Sequence, residues 1–260
     1  MKLIFIRHAE PDYSIDSLTK KGFDEATYLA SRTKDWNVTQ FYCSPLGRAQ
    51  QTSMPTLKVH NKEAITLDFL REFHAPVKDP YNPDKERIPW DLMPQYLSEY
   101  PILFNPDKWW QAPIMKTGNV KEEYDRVCRG LDGILLQYGY KREGNHYKTN
   151  AVQAASNAFM RYDGTTKEAL KNAPENETVL VIFCHLGVMM AMLSHLINTS
   201  PCTLWQGMFI PPSSITVVGA EERTPGDAYF RCQCVGDTSH LRFNKEEISY
   251  YGGFYAPFQY

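Results

Sequence analysis

The chain lacks an excess of charge of either sign. Over 260 residues, 28 Lys and Arg stand against 30 Asp and Glu, a formal net charge of −2. A phosphate backbone is met with clustered positive charge, so this balance, with no basic run to override it, argues against a nucleic-acid binder. Long apolar stretches are also missing. None approaches the ~20 residues that span a bilayer, which argues against a membrane protein. MKLIFIRHAE opens like a secretory leader, but Arg7 and His8 interrupt the apolar run before the ~7–15 residues of an h-region accumulate. The six cysteines contain no CxxC pair and no regular framework. Reduced thiols in a cytoplasmic protein are the simplest reading. There is no internal repeat.

What is present is ordinary for a soluble globular chain, with 43% apolar and 22% charged residues. At this length one large α/β domain, or a domain with a sizeable insertion, is expected. Lys2–Ile6 is an apolar run that reads as a buried strand. Thr19 is placed to cap a helix with Phe23, Ala26, Leu29 and Ala30 on one face. Phe41–Cys43 is a second strand, and Ser44-Pro45 leads into a helix over Arg48–Thr52. Val120, Tyr124, Val127, Leu131, Leu135 and Tyr138 share a helical face that Gly139 should terminate. Thr178–Cys184 is the strongest strand and Val188–Ile197 an apolar helix. Ser214–Val218 and Tyr229–Val235 read as further strands. Alternating strands and helices predict an α/β fold with a mostly parallel central sheet and helices on both faces.

The middle of the chain differs. Residues 76–113 hold eight of the 17 prolines and three of the five tryptophans, Trp90, Trp109 and Trp110. Proline disrupts helix interiors and central strands, so short helices and loops leaving the sheet are expected. One domain over 1–260 is therefore predicted, with 74–118, or the longer span 74–175, as an inserted Pro/Trp-rich cap segment. The cap is expected to fold over the site and shape its leaving-group side. At least two of the three tryptophans are expected simply to fill the cap's body. Residues 144–175 are polar without clear organisation, and the aromatic tail after Phe243 is unassigned.

An apolar strand, then reactive residues, then a helix start occurs at Arg7-His8, at Ser44-Pro45 with Arg48, and at Cys184-His185. Groups just past the carboxyl ends of neighbouring parallel strands line one crevice. If these strands are neighbours, two guanidinium groups and two imidazoles converge, and a compact dianion such as phosphate is the natural ligand. A neutral histidine there can attack phosphorus and divide hydrolysis into two steps. Arginines and the second histidine can stabilise the equatorial oxygens without a metal. A carboxylic acid is needed for the leaving alcohol, and Glu72 in Leu70-Arg71-Glu72 is the best placed. Taken singly, a histidine after a strand or an arginine on a helix is usually structural. Repetition at the strand ends is what favours a site.

The residues in sequence resemble the histidine phosphatase superfamily, phosphoglycerate-mutase-like branch. Arg7-His8-Ala9-Glu10 is similar to its RHG/RHA tetrad. Leu18-Thr19-x-x-Gly22-x-x-x-Ala26 is similar to its LTxxGxxQA segment. Ser44-Pro45-Leu46-x-Arg48-Ala49-x-Gln51-Thr52 matches SPLxRAxQT, and Leu70-x-Glu72 matches the L-x-E of the proton donor. Cys184-His185-Leu186-Gly187 stands in place of GHG. The resemblance covers residues 1–72 and roughly 178–240. It implies that His8 is the nucleophile, that Arg7, Arg48 and His185 bind the phosphoryl group, and that Glu72 donates the proton and then activates water.

Some positions depart from the pattern. Cys184 replaces a glycine and reads as a buried small hydrophobe. Ser14 stands where mutases of the family carry a phosphate-pocket asparagine, which makes it a phosphate-binding candidate. Phe73-His74-Ala75-Pro76 follows Glu72 in place of an arginine-rich segment, which favours a phosphatase over a glycolytic mutase. His74 and His240 are expected to be structural. The expected protein is a phosphomonoester hydrolase with no cofactor and no metal, whose partner is a small phosphorylated substrate. A phosphoglycerate-mutase-like phosphotransferase and a catalytically silent phosphate sensor are the alternatives. Oligomeric state and the identity of the alcohol are left open.

Overall fold

The computed structural model describes residues 1–149, 177–224 and 226–259. Strand β1 (Lys2–Arg7) is buried on both sides. Leu3 and Phe5 point into one core, Ile4 and Ile6 into the other, as the two-residue period of a strand requires. Helix α1 (Lys20–Thr33) begins where the Thr19 hydroxyl accepts the Gly22 N–H at 3.1 Å. Its buried face is Gly22, Glu25, Ala26, Leu29, Ala30 and Thr33. Phe23, expected on that face, is instead exposed. The helix is rotated because Gly22 lies against the Glu10 carbonyl, where an added Cβ would come within 2.2 Å of the oxygen.

Strand β2 (Gln40–Cys43), helix α2 (Gly47–His60) and strand β3 (Ala64–Thr66) complete the first half. Helix α3 (Val120–Gln137) starts and stops where the periodicity places it, with Gly139 at positive φ just beyond. A hairpin of β4 (Tyr140–Glu143) and β5 (His146–Thr149) follows. Then come β6 (Val179–Cys184), α4 (Leu186–Ile197), α5 (Pro201–Gly207), β7 (Ile215–Thr224), β8 (Asp227–Asp237) and α6 (Ser239–Phe243).

The strands form one eight-stranded sheet in the order β3-β2-β6-β1-β7-β8-β5-β4. Pairing is parallel from β3 to β1 and antiparallel from β1 to β4. The parallel half is the part whose carboxyl ends carry the residues singled out above. Helices α1 and α2 cover one face through Leu29, Ala49 and Leu57. Helices α3 and α4 cover the other through Val127, Leu131, Val188 and Met192. No helix among the described residues is long and apolar enough to cross a membrane.

The proline-rich stretch consists of a hairpin pairing Val77–Asp79 with Asn82–Arg87, a short helix at Pro94–Glu99 and three single turns of 3₁₀ helix. It joins the α3/α4 core. Trp109 is 1% exposed, with its ring 5.2 Å from Tyr124 and 5.7 Å from Trp205. The part of the expected cap beyond residue 149 lies outside the described residues.

Candidate functional site

The site is built by register. In the parallel β6–β1 pair, Arg7 lies opposite Cys184, so His8 and His185 leave the sheet side by side. The His8 N–H donates to the Cys184 carbonyl at 2.9 Å, and the Ser44 N–H to the Phe183 carbonyl at 2.9 Å. The strand ends expected to be neighbours are neighbours, in the order β2, β6, β1.

The two imidazole rings are 5.1 Å apart between centroids. His8 Nδ1 is 2.8 Å from the Ala9 carbonyl oxygen, which can only accept. The proton is therefore assigned to Nδ1, and the Nε2 lone pair is left available. Burial first, then Arg7, holds the His8 pKa well below the ordinary histidine value; the Ala9 carbonyl opposes this, and Arg48 adds a smaller lowering effect. Burial, then His8 and the two arginines, do the same to His185. Both rings are neutral at neutral pH.

His185 Nε2 is 2.7 Å from Ser44 Oγ, which also accepts the Leu46 N–H at 3.2 Å. We assign the serine hydroxyl as donor to Nε2, which places the His185 proton on Nδ1. That nitrogen is buried without a partner, as are Arg7 Nε and Arg48 Nε. Orphaned buried donors cost about 1–3 kcal/mol each, and an anion among them would satisfy them. Arg7 is 1% exposed, and its Nη1 donates to the Ile210 carbonyl at 2.7 Å.

Arg48 is fixed from the loop after β1. Its Nη1 donates to Asp16 Oδ1 at 2.5 Å, while Asp16 Oδ2 accepts the Gly47 N–H at 2.6 Å. One carboxylate thus caps the start of α2 and aims the arginine. Gly47 allows this approach, since a Cβ there would come within 2.3 Å of the Asp16 carbonyl oxygen. Thr52 ties the same helix to the histidine loop, accepting from Ala9 N at 2.9 Å and donating to the Arg48 carbonyl at 2.7 Å.

Glu72 reaches the site from the other side. Its Oε1 accepts the Phe73 N–H at 2.8 Å and the Val188 N–H at 3.0 Å, at the start of α4. Burial raises its pKa, and these N–H groups with Arg48 only partly oppose the rise. Trp90 packs beside it, so close to Gly187 that a Cβ there would meet the indole at 2.4 Å. Cys184 is fully buried and its thiol is pushed well above the ordinary value by burial, as expected of a small hydrophobe.

Of the expected site residues, Arg7, His8, Arg48, Glu72 and His185 are brought together. Ser14 is not. It is exposed, and its hydroxyl donates to Asp12 Oδ1 at 2.5 Å in a local turn. That turn sends the preceding residue, Tyr13, toward the pocket instead. The Arg48 guanidinium lies over the Tyr13 ring at 5.3 Å from its centroid, and the His8 ring is 6.4 Å away at 81°. His74 is exposed. His240 is buried 3.0 Å from Ser213 Oγ, and the Ser213 N–H in turn donates to the His8 carbonyl at 3.1 Å. Among the described residues no three His, Cys, Asp or Glu side chains are grouped to hold a metal ion.

Residues 3–89 match the family described as the histidine phosphatase superfamily (branch 1). No curated protein matches the chain. Among solved structures, a phosphoserine phosphatase mutant from Entamoeba histolytica in complex with phosphoserine is similar at 18% identity and a TM-score of 0.54, covering 92% of this chain and 98% of that one. The α-ribazole phosphatase of Shigella flexneri is similar at 18% identity and a TM-score of 0.52, covering 91% and 96%. A mycobacterial glucosyl-3-phosphoglycerate phosphatase in complex with inorganic phosphate is similar at 14% identity and a TM-score of 0.55, covering 92% and 98%. At these identities the likeness is one of fold.

Proposed function

We propose that this chain is a histidine phosphatase that hydrolyses a phosphomonoester through a phosphohistidine on His8, a reading supported by the family match over residues 3–89 and by the fold. The observation that carries the proposal is a neutral His8, proton on Nδ1, facing His185 between two buried arginines. His8 Nε2 attacks phosphorus and the phosphorus–oxygen ester bond breaks. Arg7, Arg48 and His185 Nδ1–H hold the equatorial oxygens as charge spreads over them. Glu72, whose protonated form burial favours, gives its proton to the departing alkoxide. As a carboxylate it then takes a proton from the water that attacks the phosphohistidine. The nitrogen–phosphorus bond breaks, inorganic phosphate leaves, and His8 and Glu72 return to their starting states. The chain's own cations supply the positive charge, so no step is routed through a metal.

The substrate is a small phosphorylated molecule, and residues 74–118 form the cap on the leaving-group side, with Trp90 packed against Gly187. Free thiols at Cys43, Cys128, Cys184 and Cys202 suit a reducing cytoplasm. The absence of an arginine-rich segment after Glu72 supports water over a phosphoglycerate as the acceptor.

The test is release of inorganic phosphate from p-nitrophenyl phosphate in EDTA, with acid-quenched labelling from a radioactive phosphoester. Wild type should turn over and show acid-labile label, and His8→Ala should lose both. Full activity in His8→Ala, or loss of wild-type activity on chelation, would overturn the reading.

A further inference from the structure

Tyr13 is held in place by parts of the chain far apart in sequence. Arg48 lies over its ring at 5.3 Å, and the His8 ring meets its edge at 6.4 Å. Its hydroxyl lies close enough to Arg7 to favour the guanidinium's charged form. Tyr251, from the C-terminal segment, meets Tyr13 at 6.0 Å and 67°, and Tyr250 stacks on Tyr251 at 5.5 Å and 8°. Gly252, at φ +83°, lets this segment close on the cradle, since a Cβ there would come within 2.9 Å of Arg7 Nη2. Lys21 anchors the segment by donating to the Glu247 carbonyl at 2.6 Å. Despite these contacts Tyr13 remains 57% exposed and Tyr250 62% exposed. An aromatic surface therefore stands at the rim of a buried cationic cradle.

We propose that Tyr13, backed by Tyr251, is a specificity residue that packs against the leaving group and favours phosphomonoesters carrying an aromatic ring. The inference rests on the phosphomonoester reading above and names its substrate class. Aromatic side chains reward a ring in edge-to-face or offset contact beyond the area buried. An alkyl chain of equal reach gains only the area.

The experiment uses non-hydrolysable ligands, so binding is read apart from chemistry. Calorimetry on the full chain compares 2-phenylethylphosphonate with n-hexylphosphonate, which share a head group, an attachment and a reach of six carbons. Wild type should bind the ring compound roughly fivefold to tenfold more tightly. Tyr13→Phe keeps the ring and should keep the ratio. Tyr13→Leu should bring it to within twofold of unity, and Tyr251→Ala should fall between. A wild-type ratio near unity, or an unchanged ratio in Tyr13→Leu, sinks the proposal. Should Tyr13→Leu bind neither ligand, Tyr251→Ala decides: a reduced ratio supports the proposal and an unchanged one ends it. Hydrolysis of 2-phenylethyl phosphate is measured alongside. No turnover with the binding ratio intact refutes the hydrolytic reading alone, and turnover with a flat ratio refutes the role of Tyr13 alone.

Discussion

Ser44 Oγ lies 2.7 Å from His185 Nε2, joining the ends of two adjacent parallel strands through a side-chain hydrogen bond. The bond engages Nε2 and leaves Nδ1 as the ring nitrogen without a partner. The expected result for Ser44→Ala is roughly a tenfold fall in kcat/KM, the worth of one buried hydrogen bond to a group that gathers charge in the transition state. Steady-state kinetics beside a thermal melt check it. Unaltered kinetics would mean that packing alone orients the ring.

Asp16 carries a negative charge at the edge of a site for anions, so charge alone predicts that Asp16→Ala tightens phosphate binding. Geometry predicts the reverse, because the same carboxylate aims Arg48 and caps α2. We expect geometry to win. Inorganic phosphate should bind about tenfold more weakly, and stability should fall by about 1 kcal/mol with the lost cap. Titration calorimetry and urea unfolding read the two effects separately.

The pH dependence of turnover follows from the same burial. His8 and His185 are held neutral to well below pH 6.5, so protonation of His8, the proposed nucleophile, should not limit activity near neutrality. The Glu72 pKa is raised above 4.5, so the acid needed for the leaving group survives into less acidic solution than an exposed glutamate would. The kcat/KM profile should fall with rising pH along a limb that lies above the ordinary glutamate range. Its alkaline limb belongs to Glu72 and should be missing in Glu72→Gln, which cannot titrate.

Glu25 links the site to stability. It is fully buried, its Oε2 accepts the Glu10 N–H at 2.8 Å, and its Oε1 has no hydrogen bond. Burial raises its pKa from 4.5 to about 7, with Lys21 opposing and Glu10 and Glu246 adding to the rise. A carboxyl with a raised folded pKa favours the folded state most when protonated. Stability is greatest below pH 4.5 for this group and declines as pH rises to about 7, by up to about 3 kcal/mol. Glu25→Gln should remove that slope. Chemical unfolding at several pH values checks it, and a slope equal to that of wild type would falsify the assignment.

The tryptophans of the inserted stretch should separate by role. Trp109→Ala empties a fully packed position and should cost about 3–5 kcal/mol. Trp90→Ala sits against Gly187 beside Glu72 and should lower turnover more than it lowers the melting temperature. Equal effects of both changes on selectivity would argue that the stretch acts only as core.

Much of this was readable in order along the chain. Apolar runs at Lys2–Ile6, Phe41–Cys43 and Thr178–Cys184 marked strands because a strand buried on both faces has no polar alternation. The reactive residues could then be placed at their ends. Helices α1 and α3 announced their caps and stops. Phe23 was misplaced because helical period gives a face only to within a turn, and the close approach of Gly22 to the Glu10 carbonyl set the actual rotation. Ser14 was misplaced because a local turn with Asp12 competes for its hydroxyl.

By itself, then, the sequence singled out the candidate groups, since His8, Arg7, Arg48 and His185 stand at or just past the ends of apolar runs that read as buried strands. Tertiary structure alone decided what surrounds them. Asp16 reaches Gly47 across 31 residues, and Gly252 reaches Arg7 from the far end of the chain. Such contacts depend on how loops close over a packed sheet, and no periodicity encodes them. A strand's side chains are ordered by a repeating backbone. A loop's are ordered by whatever the rest of the fold brings within reach.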